Sequence, residues 1–254
     1  MNGIVLAAGR GSRMAQRTAD RPKAMVVFAG RPLIEHQLCA LRGADIRNIA
    51  VVDGYMASAL VATDITRFSN PRWADSNMVT SLRRASAWLA TEDCIVSYAD
   101  IFYTATTVTR LAQSSDSVAI SFDKEWSALW RQRFSEPLSD AEAFKRNPSG
   151  HLIALGGRAA RMEDIEGQYM GLVKFTPDGW RAIERILDRH SASDVDKMDM
   201  TSLLALAIKD GVRIGGVPCV GAWGEVDSEH DLALYESMYP TFDACVDRAP
   251  SRID

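Results

Sequence analysis

A glycine-rich segment with two arginines lies close to the N-terminus and is followed by a lysine. Residues 9–14 read GRGSRM, directly after the apolar run of residues 2–8, and Lys23 comes soon afterwards. A short apolar run bounded by glycine predicts a buried strand, and a glycine turn after it lets backbone N–H groups approach an anion. Because Arg10, Arg13 and Lys23 add positive charge, the segment predicts a triphosphate site.

Simpler or better-known loops are the alternatives for this segment. A tight turn without a ligand would also use glycine. A dinucleotide-binding loop would need a third glycine at Met14, and the P-loop pattern GxxxxGK[ST] does not occur in the sequence. A different kind of anion-binding loop is therefore expected.

Two further segments place carboxylates at predicted strand ends. Residues 94–98 read CIVSY and lead to Asp100. An aspartate in this position either caps a turn or holds Mg²⁺, which takes one or two carboxylates beside phosphate oxygens. In the segment WGEVDSEHDL, residues 223–232, alternation puts Glu225 and Asp227 on one face of a short strand. Taken alone, these acids are favourable groups ahead of a helix N-terminus.

The first segment also carries a family resemblance. LAAGRGSRM, followed by RPKAMVVFAGRPLIEH, resembles the signature of nucleotidyltransferases over residues 4–38, with Met25 where leucine is frequent. The resemblance implies transfer of a nucleoside monophosphate from an NTP to a phosphorylated acceptor, with Arg13 and Lys23 as catalytic residues. The nucleotide-binding residues that it implies are Leu6, Ala7, Ala8, Gly9, Gly11, Ser12, Arg13, Lys23, Asn77 and Ser81.

The same resemblance implies a magnesium site. The pair Ala99-Asp100 stands where the family usually has Gly-Asp, so the aspartate is kept and the glycine is not. The W-x-E-V-D pattern is similar to the C-terminal motif whose aspartate completes the metal site. That aspartate maps onto Asp227, with Glu225 as a second candidate, and Mg²⁺ is expected between Asp100 and Asp227.

The choice of base also depends on resemblance. Asn77 is a good N-cap for the helix that follows it, which is the structural alternative. The stretch SNMVTSL around it resembles the cytidylyltransferases that act on phosphocholine and on small phosphonates. Asn77 and Ser81 are then expected to bind cytosine beside the backbone of Ala7 and Ala8, and the donor is expected to be CTP.

The acceptor site leaves two chemistries open. Trp126 and Trp130 with Asp123 suit a quaternary ammonium such as phosphocholine, whereas the nearby arginines suit a second anion. A third alternative is that the tryptophans belong to the hydrophobic core and the arginines are solvated surface residues, so that neither binds the acceptor. A small phosphonate is favoured narrowly over phosphocholine, and Asp199 lies in a segment that resembles the DMT of the same family. The candidate acceptor-binding residues are Asp123, Trp130, Arg131, Arg133, Tyr169, Asp199 and Glu225.

The resulting prediction is a Mg²⁺-dependent cytidylyltransferase that moves CMP from CTP to a small phosphate or phosphonate and releases pyrophosphate. A sugar-1-phosphate nucleotidyltransferase and a non-catalytic nucleotide-binding module are the alternatives. The segment SNMVTSL disfavours the first of these, and the retained aspartates disfavour the second, because a sensor needs no metal carboxylates.

The order of predicted elements indicates an α/β class. Strands are expected near 3–8, 48–53, 94–98, 117–121, 167–175 and 213–218. Helices are expected near 32–43, 77–90, 105–113, 177–189, 200–210 and 229–237. This alternation predicts a Rossmann-like three-layer α/β/α fold with a mainly parallel mixed sheet and ligands at the carboxyl ends of the strands. We expect one domain over 1–254, with an excursion at about 122–170 that covers the acceptor.

Composition bears on the binding partners and the cellular compartment of the protein. The chain has 254 residues, 47% of them hydrophobic, and a net charge of −4, which disfavours general nucleic-acid binding. The four cysteines (Cys39, Cys94, Cys219 and Cys245) show no CxxC spacing and are expected to be reduced thiols in the cytoplasm. Neither a signal peptide nor a membrane span is expected. The sequence leaves the oligomeric state open, a homodimer included.

Overall fold

A seven-stranded sheet forms the centre of the computed structural model, which describes residues 1–245. Within these residues the strands are β1 (Asn2–Leu6), β2 (Val27–Phe28), β3 (Arg31–Pro32), β4 (Asn48–Asp53), β5 (Thr66–Ser69), β6 (Cys94–Tyr98), β7 (Ile101–Phe102), β8 (Val118–Asp123), β9 (Glu142–Arg146), β10 (Leu152–Arg158), β11 (Gln168–Phe175), β12 (Ile214–Pro218) and β13 (Gly224–Glu225). The helices are α1 (Leu33–Gly43), α2 (Met78–Arg83), α3 (Ser86–Leu89), α4 (Ala105–Ala112), α5 (Trp126–Arg133), α6 (Pro177–Leu187), α7 (Ala192–Lys197), α8 (Met200–Lys209) and α9 (Glu229–Met238).

The sheet is mixed but mainly parallel. Its strand order is β12-β8-β11-β6-β1-β4-β5, and all neighbours are parallel except β11, which is antiparallel to β6 and β8. Helices α1 and α4 pack together, and α2 and α6 each pack on α8 as a second group. The predicted Rossmann-like three-layer class is confirmed. Among the described residues, no helix combines the length and the apolar character needed to span a bilayer.

The apolar runs in the sequence explain the central strands. Every residue of β1 and β8 is buried, because a strand covered by helices on both faces has no solvent side to fill with polar groups. Val5, Val51 and Val96 are fully buried in the middle of the sheet. Each such side chain contributes about 1.5–3 kcal/mol to stability relative to an exposed one.

The strand register brings three chain segments to one edge of the sheet. Leu6, the last residue of β1, pairs with Val52 of β4 on one side and with Tyr98 of β6 on the other. Since parallel strands end at the same edge, the glycine segment after Leu6 and the aspartate after Tyr98 emerge side by side.

Between β8 and β11 the chain departs from simple alternation. It forms α5 and then the antiparallel hairpin of β9 and β10, which lies against α8. These elements fall within the excursion that the sequence predicts for 122–170. The prediction of one domain over 1–254 also includes residues 246–254, which lie outside the described residues.

Some local predictions differ from the structure. The helix expected near 77–90 is interrupted after Arg83, giving α2 and α3. Strand β5 was not expected because it is an edge strand with mostly exposed residues, so no apolar run marks it. Helix α7 was missed for a similar reason, since Val195 is its one buried residue.

The prediction of four reduced thiols is wrong for one pair. Cys39 on α1 and Cys245 form a disulfide, with Cα atoms 5.2 Å apart and a sequence separation of 206. Spacing along the chain could not reveal this pair, because the fold brings its members together. Cys94 and Cys219 remain free, and burial raises the pKa of each thiol to about 12.

Candidate active site

The glycine segment makes a tight turn directly after β1. Gly11 has a φ of 71°, in the left-handed region that favours glycine, and Thr18 donates a hydrogen bond of 3.0 Å to its carbonyl oxygen. A Cβ atom on Gly11 would lie 2.7 Å from the Cβ atom of Lys23. Glycine at this position therefore allows the lysine to pack against the loop.

A cleft of about 280 Å³ opens above this turn and contains the whole predicted nucleotide-binding set. Its lining also includes residues outside that predicted set: Ala24, Trp73, Ser76, Met78, Ala99 and Asp100. Of these, only Asp100 had been predicted for another role. Trp73 had a signal of its own, since an aromatic residue in a polar loop suits stacking on a base.

The start of α2 forms the far wall of the cleft. The Asn77 side chain accepts a hydrogen bond of 2.8 Å from the backbone N–H of Met78 and donates to the carbonyl oxygen of Lys197 at 3.3 Å. The Ser81 hydroxyl accepts from the buried Asn70 amide at 3.0 Å. Both residues therefore line the cleft from fixed positions, and Asn77 is also the N-cap that the sequence predicts.

Lys23 lies between the two predicted metal ligands. Its Nζ atom is 2.7 Å from Oδ2 of Asp100 and 2.5 Å from Oδ1 of Asp227, and its side chain is 9% exposed. Burial alone would lower the pKa of Lys23, but the two carboxylates outweigh burial and hold the pKa above its ordinary value. The lysine is therefore a fixed positive charge at neutral pH.

Two very short strands explain how residues distant in sequence meet here. Strand β7 pairs antiparallel with β13, so that Ile101 lies opposite Glu225. The N–H of Val226 donates to the carbonyl oxygen of Asp100 at 2.8 Å, which places the side chains of Asp100 and Asp227 side by side. The resemblance implies that Asp100 and Asp227 lie close together, and the pairing of β7 with β13 produces this closeness.

Carboxylate oxygens converge at this point in a form that suits a divalent cation. Asp100, Glu225 and Asp227 each offer an oxygen within 4.8 Å of the others. The Oδ1 atom of Asp100 is buried without a hydrogen-bond partner. Burial, together with repulsion from Asp227 and Asp100, raises the pKa of Glu225 well above its ordinary range. An all-oxygen donor set that includes an orphaned acceptor fits Mg²⁺.

Arg13 links the cleft to a second pocket. Its guanidinium is 2.9 Å from Oδ1 of Asp227, and its side chain is 68% exposed, so it can follow a ligand. The second pocket encloses about 190 Å³, and its lining residues are Arg13, Tyr98, Trp130, Asp140, Glu142, Gln168, Tyr169, Met170, Gly171, Thr201, Glu225 and Asp227. We call it the acceptor pocket. Trp130, Tyr169 and Glu225 from the predicted acceptor set lie in it.

Two predicted acceptor residues outside this lining are held by structural hydrogen bonds. Asp123 accepts hydrogen bonds from the Trp223 indole at 3.0 Å and from the Glu125 N–H at 2.7 Å. Asp199 accepts from the N–H of Ser202 at 2.7 Å and caps α8. Both side-chain oxygens of Asp123 and one of Asp199 are thereby engaged in structural hydrogen bonds.

The two predicted arginines are also outside the lining. Arg131 is exposed on α5, with Met162 as its side-chain neighbour. Arg133 is buried behind the pocket, where it faces Asp231, Glu225 and Asp227. Among the described residues that line the acceptor pocket, the wall is therefore mainly acidic and aromatic, with Arg13 at its mouth.

Comparison with known proteins places this site in a family context. The family model of the MobA-like NTP transferase domain matches residues 3–148. A CTP:phosphoglutamine cytidylyltransferase of Campylobacter jejuni is 37% identical over 250 residues, covering 92% of this chain and 98% of that protein. A choline-phosphate cytidylyltransferase of Haemophilus influenzae is 34% identical over 105 residues, covering 40% of this chain and 44% of that protein.

A solved structure agrees with the fold. The inositol-1-phosphate CTP transferase from T. maritima superposes with a TM-score of 0.74 at 18% identity, covering 92% of this chain and 93% of that chain. At this level of identity the likeness concerns the fold alone.

Proposed function

The chain belongs to the MobA-like NTP transferase family, and from that premise we propose that it transfers CMP from CTP to the phosphate or phosphonate of a small acceptor. The observation that carries the proposal is the meeting of two pockets at Arg13 and at the 2.5 Å contact between Lys23 and Asp227. A nucleotide in the cleft and an acceptor in the acceptor pocket would bring their phosphates together at this junction.

The reaction at the junction is a single in-line displacement. An oxygen of the acceptor phosphate or phosphonate forms a bond to the α-phosphorus of CTP while the bond to the bridging oxygen breaks, and pyrophosphate leaves with that electron pair. Since a phosphate monoester has its second pKa near 6, the attacking oxygen is largely ionised at neutral pH and needs no general base. Catalysis then depends on positioning and on neutralising charge.

The cationic residues supply that neutralisation. Lys23 and Arg13 line the cleft where negative charge would accumulate as pyrophosphate departs, and Gly9, Gly11 and Ser12 line it beside them. Asp100 and Asp227, with Glu225 beside them, would hold Mg²⁺, which supplies Lewis-acid stabilisation of the α-phosphate when bound. The Lys23 ammonium contacts both aspartates and offsets part of their negative charge.

CTP is proposed as the donor because of the start of α2. The resemblance of SNMVTSL to cytidylyltransferases is supported by relatives whose names specify CTP or cytidylyl transfer. Asn77 and Ser81 line the cleft next to Ala7 and Ala8, where a pyrimidine can be hydrogen-bonded on its polar edge.

The acidic wall sharpens the proposal for the acceptor. The preference for an anionic phosphonate depended on Arg131 and Arg133, which do not line the acceptor pocket. Asp140 and Glu142 lie there instead, beside Trp130 and Tyr169. Such a wall attracts hydrogen-bond donors and repels a second carboxylate. We therefore favour an acceptor whose far end carries an amine or a quaternary ammonium, which the choline-phosphate specificity of one relative supports.

A pyrophosphate-release assay tests this function. The purified protein with Mg²⁺ is given each of the four NTPs together with phosphoglutamine, phosphocholine, phosphoethanolamine, aminoethylphosphonate, a carboxyphosphonate or a sugar 1-phosphate. Turnover confined to CTP, with an amine- or ammonium-bearing acceptor preferred, is expected. Preference for the carboxyphosphonate would contradict the acceptor proposal, preference for a sugar 1-phosphate would favour the alternative transferase, and CTP binding without turnover would indicate a non-catalytic module.

A further inference from the structure

Arg133 occupies an unusual position directly behind the three converging carboxylates. It is the last residue of α5, its side chain is 0% exposed, and it lines neither the cleft nor the acceptor pocket. A buried charge of this kind is costly unless it is fully compensated. The contacts of Arg133 therefore identify the groups that compensate its charge.

The first contact ties Arg133 to the backbone that carries Asp227. The Nε atom donates to Oδ1 of Asp231 at 2.8 Å. The other oxygen of Asp231 accepts hydrogen bonds from the backbone N–H groups of Asp227 at 3.1 Å and Ser228 at 2.9 Å. Arg133 is thus connected through one carboxylate to the turn that leads into α9.

Aromatic rings fix the plane of the guanidinium. Its central carbon lies 5.0 Å from the ring centroid of Trp130 and 5.0 Å from that of Phe134. Both distances are within the range of cation–π contacts, which are strongest when the cation is removed from water. The fork of Arg133 is consequently held in one orientation.

That orientation aims the two terminal nitrogens at the proposed metal ligands. One terminal nitrogen is 3.5 Å from Oε2 of Glu225, and the other is 3.9 Å from Oδ2 of Asp227. The second nitrogen is buried and makes no hydrogen bond. Asp227 is therefore divided in its contacts, with Oδ1 facing Lys23 and Arg13 at the junction and Oδ2 facing Arg133.

We propose that Arg133 is a positioning residue that turns Asp227 and Glu225 toward the divalent cation and offsets their mutual repulsion from behind. The inference rests on the proposed function, because it assigns the support of that same site. Partners behind a metal ligand orient it, and their loss typically weakens metal affinity about 10–100-fold. The unpartnered nitrogen of Arg133 is available to bond Oδ2 of Asp227, whose other oxygen faces the junction.

Metal binding measured apart from turnover tests this role. Wild type, Arg133→Met, Arg133→Lys and Lys174→Gln are each titrated with Mn²⁺, free Mn²⁺ is measured by electron paramagnetic resonance, and Tm is recorded for each.

Lys174 is the matched control because it is also a buried cation but lies away from the three converging carboxylates. It donates to the carbonyl oxygens of Ala112 and Ser114 and pairs with Asp93, which precedes β6. We expect the Mn²⁺ Kd to rise about 10–100-fold in Arg133→Met and less in Arg133→Lys, which keeps the charge but loses the fork. Lys174→Gln should lower Tm and leave the Kd unchanged.

The remaining outcomes separate this role from the function it serves. An unchanged Kd in Arg133→Met, or an equal rise in Lys174→Gln, overturns the positioning role while the metal site stands. Absence of Mn²⁺ binding in wild type overturns both. If Arg133→Met does not fold, the Mn²⁺ Kd values of Arg133→Lys and Asp231→Asn are compared with wild type instead. Each of these variants disturbs the hydrogen bond between Arg133 and Asp231 while keeping a polar partner. A wild-type Mn²⁺ Kd in both overturns the positioning role.

Discussion

The nucleotide cleft and the acceptor pocket adjoin, yet they carry opposite charge. The cleft presents Arg13, Lys23 and a glycine turn, whereas the acceptor pocket presents Asp140 and Glu142. Both proposed substrates are phosphorylated, so their anionic groups are both attracted to the junction at Arg13. The rest of the acceptor then lies against the acidic wall. Under the proposed function, this difference in charge would orient the acceptor, with its phosphate at the junction and its other end against the acidic wall.

The largest expected effect concerns the junction itself. Asp100→Asn and Asp227→Asn should each lower turnover at least about a hundredfold with Mg²⁺ saturating, because each removes a charge that supports the metal in the transition state. Pyrophosphate release measures the loss, and an unchanged far-ultraviolet circular dichroism spectrum serves as the folding control. Near-normal turnover in either variant would remove that aspartate from the metal site.

The cationic side of the junction should show a distinct kinetic pattern. Lys23→Ala and Arg13→Ala should lower kcat by about ten- to a hundredfold and change the KM for CTP less, because the charge they face grows as pyrophosphate leaves. Steady-state kinetics with CTP varied at saturating acceptor give both constants. If KM rises in both variants while kcat is retained, the two residues bind the ground state and transition state equally.

The acidic wall is tested by a neutral substitution in the acceptor pocket. Glu142→Gln should raise the KM for an amine-bearing acceptor by about tenfold, the scale of a charged hydrogen bond, with the KM for CTP unchanged. Arg131→Ala is the matched comparison on the exposed face of α5, where no effect on either KM is expected. If Arg131→Ala instead raises the KM for the acceptor, Arg131 contributes to acceptor binding, and the contrast in charge between the two pockets does not hold.

These two regions also differ in how far the sequence predicts them. The cleft is largely built from one continuous stretch and the start of one helix, so residues 4–38 and Asn77 with Ser81 were sufficient to predict most of its lining, though not Trp73 or Ala99. The acceptor pocket collects Tyr98, Glu142 and Thr201 from separate elements, and nothing in their local sequence marks them. The arginines near Trp130 were conspicuous in sequence, but helix periodicity alone could not tell which of them turns inward.

The fold was predicted at a similar level of detail for the same reason. Central strands such as β4 and β6 are buried on both faces and leave apolar runs, so their predicted bounds match the structure. Strand β5 and the hairpin of β9 and β10 are partly exposed and leave no such run. The disulfide between Cys39 and Cys245 could be identified only from the three-dimensional fold.

The smallest expected effect lies outside both pockets. Cys39→Ser should lower the free energy of unfolding by about 2–4 kcal/mol, the usual contribution of a disulfide, and leave turnover unchanged. Thermal unfolding measures the first and pyrophosphate release the second. A count of titratable thiols in denaturant without reductant should give Cys94 and Cys219 alone. Reaction of all four cysteines would show that the disulfide is not formed.

The direct test of the meeting of the two pockets is the stereochemical course at the α-phosphorus. A single diastereomer of CTP with sulfur on the α-phosphate is turned over with the preferred acceptor, and the configuration of the product is read by phosphorus nuclear magnetic resonance. Direct attack by an acceptor bound opposite the departing pyrophosphate predicts inversion. Retention would require an intermediate on the enzyme and would contradict direct transfer between the cleft and the acceptor pocket.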